Sequence, residues 1–183
     1  MKHNPTSPKL ANLVRYLNAL TDRATIEDLE RQLVALDDLS LKDVAEFVRF
    51  SDRRYMRNLI CDGPWYHLLA LCWHSGQRSP IHNHAGSTCG VRVLKGTITE
   101  TKFEPTPCGQ LKAVGSADMG VGGCTALQDA DIHQVSNLQA DGMDLVTLHV
   151  YSPPLLRMDT YSLTDASVGE FIPMIYEMHG SGI

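Results

Sequence analysis

At 183 residues, with 43% hydrophobic and 20% charged side chains, the chain is long enough for one domain with a real core and too apolar for a disordered segment. A formal net charge of -5 and a pI near 5.9 leave no basic excess, which argues against a nucleic-acid partner. No apolar run approaches the roughly 20 residues that a bilayer span requires, and Met1-Lys2-His3-Asn4-Pro5 lacks the apolar stretch of a secretion signal, so a cytoplasmic protein with no membrane partner is expected.

The first fifty residues read as helix. Leu10, Leu13, Val14, Leu17 and Leu20 recur at three-to-four spacing, one apolar face of an amphipathic helix. Thr25-Ile26-Glu27-Asp28 resembles a capped start before Leu29, Leu33, Val34 and Leu36, and Ser40-Leu41-Lys42-Asp43 resembles another before Val44, Phe47 and Val48. Three short helices are therefore expected.

From Tyr55 onward, short apolar or alternating runs are separated by Gly, Pro, Asp and Asn, the pattern of many short strands. Strands are predicted over 55–61, 65–73, 81–84, 89–95, 97–103, 111–114, 123–126, 132–136 and 145–151, with a last one over 171–178. This spacing suits a jelly-roll or barrel and not a parallel α/β sheet. The expected layout is mainly β, one domain over 1–183, with helices over 1–50 and a barrel plus C-terminal extension over 55–183. Pro105 through Gln110 is the expected exposed loop. The five cysteines, Cys61, Cys72, Cys89, Cys108 and Cys124, lack paired CxxC spacing and read as free thiols, mostly buried.

His82-Asn83-His84 places two imidazoles two residues apart, on one face if the segment is extended. That face can hold a metal, but the same spacing suits two surface or turn histidines, and a third ligand is required. His133, in the predicted strand 132–136, is the candidate. In the strand 145–151, Thr147, His149 and Tyr151 alternate with Val146, Leu148 and Val150. Facing a lumen, the first three would form a relay of hydrogen-bonding groups; facing solvent, they would be the polar side of a half-buried strand. Arg57, near Arg53 and Arg54, offers either a fork for a carboxylate or a surface charge.

Gly76, His82-Asn83-His84 and Gly96 together resemble the first metal-binding motif of the cupins, and His133 with Asn137 resembles the second. That family places a glutamate ligand where this chain has Cys89. Either three neutral imidazoles hold the metal, or Cys89 joins them as a thiolate suited to zinc or copper.

Tyr55-x-Arg57-Asn58, Leu71-Cys72-Trp73, His82-x-His84, Ser87-x-Cys89, Leu94-Lys95-Gly96 through Glu100-Thr101-x-Phe103, His133, and Leu148-His149-Val150-Tyr151-Ser152-Pro153-Pro154 jointly resemble the cysteine dioxygenases, in consistent order over about residues 55 to 155. The resemblance implies one Fe(II) per chain on His82, His84 and His133, no organic cofactor, L-cysteine and O2 as substrates, and cysteine sulfinate as product. It implies that Arg57, with Tyr55 as second donor, holds the substrate carboxylate. It implies catalytic places for Tyr151, His149, Thr147 and Cys89, and a thioether between Cys89 and Tyr151. The absence of GxGxxG and GxxxxGK[ST] agrees with the lack of an organic cofactor. Trp73, His74, His67 and Met158 are further candidates to line the pocket, and a monomer is expected. Two other readings stand beside this one: a thiol dioxygenase acting on 3-mercaptopropionate, whose members place glutamine at the Arg57 position, and a non-catalytic zinc-binding or sensing cupin with Cys89 as fourth ligand.

Overall fold

The computed structural model describes residues 7–128 and 131–177, so residues 1–5 and Met178, which figure in the sequence reading, lie outside it. A 3₁₀ turn, Pro8–Leu10, runs into α1 (Ala11–Asn18), and Thr25 caps α2 (Ile26–Val34) by accepting from the Asp28 amide at 3.1 Å. The third expected helix, Leu41–Phe47, is a 3₁₀ helix and not an α-helix. Its buried residues, Val44 and Phe47, are three apart, and three residues per turn put both on the core side.

Eleven strands follow among the described residues: β1 (Met56–Gly63), β2 (Tyr66–Trp73), β3 (Ile81–His82), β4 (Thr88–Lys95), β5 (Ile98–Pro105), β6 (Leu111–Met119), β7 (Cys124–Gln128), β8 (Ile132–Ser136), β9 (Leu145–Ser152), β10 (Met158–Tyr161) and β11 (Val168–Phe171). They form two antiparallel sheets, in the orders β1-β2-β9-β4-β7 and β11-β10-β3-β8-β5-β6. The mainly β architecture with leading helices matches the sequence reading, and the Thr106–Gln110 turn joins β5 to β6 on the surface.

The differences are local. β3 stops at His82, two residues short of the predicted end. The predicted last strand does not form over 171–177, where Phe171 ends β11 and Tyr176 makes an isolated bridge to Asn58. Pro173 cannot donate to a ladder there. β10 and β11 were not predicted, being four residues each and without a clear alternation.

β9 lies between β2 and β4, and all eight of its residues are buried. Val146, Leu148 and Val150 join Leu13, Leu17, Leu29, Leu33 and Phe47 in a core between the sheet and the helices. Leu145 and Tyr151 belong to a second core in the lumen, with Leu69, Leu71, Trp73, Val91 and Val135. The alternation in 145–151 thus separates two buried faces, not a buried face from solvent.

Two contacts seat the helical layer. α2 lies so close to β4 that a Cβ on Gly90 would come within 2.7 Å of Leu33 Cδ1 and 3.4 Å of Leu29 Cβ. The turn between α1 and α2 reaches the neighbouring strand β9 as well. The Ala24 amide donates to Ser152 Oγ at 3.0 Å, and the Ala24 carbonyl accepts from Thr88 Oγ1 at 2.7 Å. Thr88 and Ser152 are fully buried and paired across β4 and β9, so one backbone unit satisfies both hydroxyls.

Candidate metal centre and substrate pocket

β3 and β8 pair with His82 directly opposite His133, so both imidazoles enter the lumen from one sheet. His84 comes from the segment after β3. Asn83 is pinned to β10, where its amide donates to Asp159 Oδ2 at 2.9 Å and to Tyr161 Oη at 3.1 Å. Its carbonyl oxygen accepts from the Asp159 amide at 3.1 Å. The chain then turns back through Ala85 (φ 44°) and Gly86 (φ 90°), with the Ser87 amide closing onto the His84 carbonyl at 2.9 Å. A non-glycine residue in the left-handed region is a strained position, and here it lies beside the ligand cluster. The expected common strand face for His82 and His84 is replaced by a strand end and a pinned turn that bring the rings together.

His82, His84 and His133 are all buried, and each offers a nitrogen such that the three lie within 4.8 Å of one another. Their outer nitrogens define which atom is free. His82 Nδ1 lies 2.9 Å from the Pro80 carbonyl and His133 Nδ1 lies 2.7 Å from Glu100 Oε1, which fixes the N–H at Nδ1 and leaves Nε2 with its lone pair. His133 Nε2 and both His84 nitrogens are buried without a hydrogen-bond partner. Burial first, and then the neighbouring imidazoles, hold His84 far below the ordinary histidine range, and the same causes bring His82 to about 3. Three buried imidazoles converging on one cavity, with His84 and His133 Nε2 unpartnered, are a donor set for a transition metal. Burial alone would raise the Glu100 carboxyl, but its hydrogen bond to His133 outweighs this and holds it low.

Opposite the triad stands the β9 row. Trp73 Nε1–H donates to Thr147 Oγ1 at 3.3 Å, Thr147 Oγ1 lies 3.0 Å from His149 Nε2, and His149 Nδ1 lies 3.2 Å from Tyr151 Oη. His149 sits well below its ordinary pKa, through burial and then the Arg57 charge, so its ring is neutral and relays one hydrogen-bond direction along the row. Cys89 pairs with Tyr151 across β4 and β9, and its Sγ approaches His149 Nδ1 at 3.9 Å. Burial pushes the Cys89 thiol up to about 12 and the Tyr151 phenol up as well. Cys89 therefore faces Tyr151 as a neutral thiol and lies outside the three-nitrogen cluster.

Arg57 enters the same pocket from β1. It is 3% exposed, its guanidinium carbon lies 4.8 Å above the Tyr151 ring, and Nε and Nη2 have no partner. Tyr55 contributes its hydroxyl to this guanidinium and stacks on Trp73 with centroids 4.0 Å apart. The pocket is thus walled by Tyr55, Arg57, Trp73, the three histidines, Cys89, His149 and Tyr151.

Of the further candidates, Trp73 lines the pocket and Met158 is buried in the lumen core. His74 is elsewhere, stacked on Phe50 and bonded to Asp144 at 2.8 Å. His67 pairs with Tyr151 across β2 and β9, but outside the pocket lining. The sequence reading gave no part to Glu100 as the partner of His133, or to the Pro80 carbonyl. Glu100 lies 33 positions before His133 and reaches it through the pairing of β5 with β8, which no local pattern reveals.

The barrel and its cluster define the class: a cupin fold with a three-histidine group that could hold a metal. Solved structures share the fold, one of them described as having a double-stranded β-helix domain. A structure from Thermus thermophilus superposes with a TM-score of 0.51 at 18% identity, covering 63% of this chain and 98% of its own. Another from Klebsiella pneumoniae gives 0.52 at 15% identity, covering 70% and 87%. A family model described as cysteine dioxygenase type I matches residues 2–164. Cysteine dioxygenase type 1 of Rattus norvegicus and of Homo sapiens are each 30% identical over 166 residues, 87% of this chain and 80% of theirs. That of Danio rerio is 30% identical over 159 residues, covering 83% and 78%. The chain belongs to the cysteine dioxygenase type I family, and is an enzyme of the thiol dioxygenase kind.

Proposed function

We propose that this enzyme oxidises the thiol of L-cysteine to cysteine sulfinate with O2, using one Fe(II) on His82, His84 and His133. The observation that carries the choice of substrate is Arg57: a guanidinium buried beside the triad with Nε and Nη2 unpaired suits a substrate carboxylate. When bound, Fe(II) supplies open coordination positions for a thiolate and for dioxygen, and the redox chemistry between them. Both oxygen atoms end on sulfur, and the electrons that sulfur loses are those that dioxygen gains, so no external reductant enters.

The chain's own residues bind and orient. Arg57 and the Tyr55 hydroxyl hold the carboxylate, which fixes the amino acid against the triad. Tyr151 presents its hydroxyl to the same space, and Trp73, Thr147 and His149 hold that hydroxyl through the hydrogen-bonded row. Three neutral ligands leave the substrate thiolate as the anion of the site. The Cys89–Tyr151 pairing supports a thioether from sulfur to the Tyr151 ring, which would lock the ring. Its formation removes one hydrogen from the thiol and one from a ring carbon, and dioxygen accepts both.

The test is anaerobic loading with Fe(II), addition of L-cysteine and then oxygen. Sulfinate formation matched by oxygen uptake is expected. No uptake with cysteine alongside uptake with 3-mercaptopropionate would overturn the substrate assignment. On a denaturing gel, the thioether gives a faster-migrating band that grows with iron, cysteine and oxygen and is lost in Cys89→Ala.

A further inference from the structure

A second cavity meets the metal cluster from the far side of His133. Its volume is about 320 Å³, against about 10 Å³ at the pocket between Arg57 and the triad, and the two share His133 and Val135 as a common wall. It lies where the sheets part company. β6 is the edge strand of one sheet and β7 the edge strand of the other. Ala117 and Met119 come from the first and Leu127 from the second, with Val91 and Ile98 behind them. The opening faces solvent through β6, where Ala117 and Asp118 are exposed, and the floor is His133.

The chemistry of the lining selects the occupant. Its two carboxylates are already engaged, Glu100 with His133 Nδ1 at 2.7 Å and Asp118 with Thr99 Oγ1 at 2.6 Å. Among the described residues, no Arg or Lys lines it. A zwitterionic amino acid would lose its hydration there without gaining an ion pair. A small uncharged molecule loses almost nothing, and apolar cavity walls such as Val91, Ile98, Leu127 and Val135 offer are the kind that take up xenon and similar guests. Arg57, Tyr55 and Tyr151, the groups suited to a charged substrate, all lie in the other pocket.

We propose that this cleft is a binding antechamber and access route for dioxygen, leading from the β6/β7 seam past Val135 to the metal cluster, separate from the side on which the thiol binds. The proposal rests on the dioxygenase reading for its identity of ligand, while the site itself is a matter of apolar gas binding. Two variants on β6 test it. Ala117→Trp puts an indole across the opening from an exposed position on β6. Ala113→Trp, also exposed on β6 but away from the lining, is the control.

Crystals of wild type under xenon pressure should show xenon between Leu127 and Val135, and crystals of Ala117→Trp should not. In steady-state kinetics with the iron-loaded enzyme, Ala117→Trp should raise the KM for dioxygen several-fold while anaerobic cysteine binding and the KM for cysteine stay at the Ala113→Trp values. Absence of xenon from the wild-type cleft overturns the proposal, as does an unchanged KM for dioxygen in Ala117→Trp. If wild type oxidises no cysteine, the dioxygenase reading fails, and the xenon result alone still decides whether the cleft takes an apolar gas.

Discussion

Replacing Arg57 with Gln should make the ligand-free protein more stable and its complex with cysteine weaker. Arg57 is 3% exposed, two of its nitrogens lack partners, and it forms no ion pair among the described residues. A buried charge without a counter-ion costs several kcal/mol, part of which is returned by the Tyr55 hydroxyl and by the Tyr151 ring at 4.8 Å, worth about 1 kcal/mol. A neutral amide removes most of this cost, for a net gain of about 1–3 kcal/mol, or roughly 3–9 °C in Tm for a chain of this size. Binding moves the other way. Two charge-assisted hydrogen bonds are lost and one neutral bond is recovered, a loss of about 2–4 kcal/mol, or roughly 30- to 1,000-fold in Kd. Thermal denaturation without ligand and anaerobic titration of the iron-loaded protein with L-cysteine measure the two effects. Cysteamine, which has the thiol and amine but no carboxylate, should bind both proteins within a few-fold of each other. A less stable variant that still binds cysteine like wild type would show Arg57 to be a structural charge and refute the reasoning.

Glu100→Gln weakens the acceptor of the His133 Nδ1 proton and should lower metal affinity by about 10- to 100-fold, read by competition with a chelator; unchanged affinity would remove Glu100 from the site. Gly90→Val drives a side chain into Leu33 and Leu29 and should cost about 1–3 kcal/mol of stability, seen as a lower denaturation midpoint with an unchanged m-value. Asp43, held down to about 2 by hydrogen bonds from Ser40 and then by Lys9, titrates lower in the folded than in the unfolded chain. Its contribution is therefore full above pH 3.8 and lost as pH falls toward 2. The stability gap between wild type and Asp43→Asn should be open at pH 6 and close over that acid range; a gap that widens on acidification would reverse the sign and refute it.

The division near residue 50 was legible because helical spacing in Leu13, Val14 and Leu17 gives way to alternation and turn residues. β9 was legible as a strand but not as a doubly buried one, since Val146, Leu148 and Val150 would look the same against solvent-facing polar partners. The histidines of the cluster were legible as types at suggestive spacing. Their means of convergence was not, because the Asn83 bonds to Asp159 and the turn at Ala85 depend on β10, a four-residue strand without a pattern of its own. Glu100 and the seam cleft escaped notice for a related reason. Both arise from which strands pair and which stand at an edge, and register is a property of the assembled sheets.

The hydrogen bond from Ala24 to Ser152 joins residues 128 positions apart, and the strand that carries Ser152 sits at the middle of its sheet. During synthesis the helices, β2 and β4 all emerge well before β9, yet β2 and β4 have no ladder with each other and must wait for it. Until then two apolar edges stand open, and chain fragments that stop short of Leu145 should aggregate and not fold. Insertion of β9 is one late, long-range event that places Tyr151 beside Cys89 and seats the α1–α2 turn together, so folding should be slow for a chain of this length and close to all-or-none. A nascent chain that carries His82, His84 and His133 thus still lacks His149 and Tyr151 until this strand arrives.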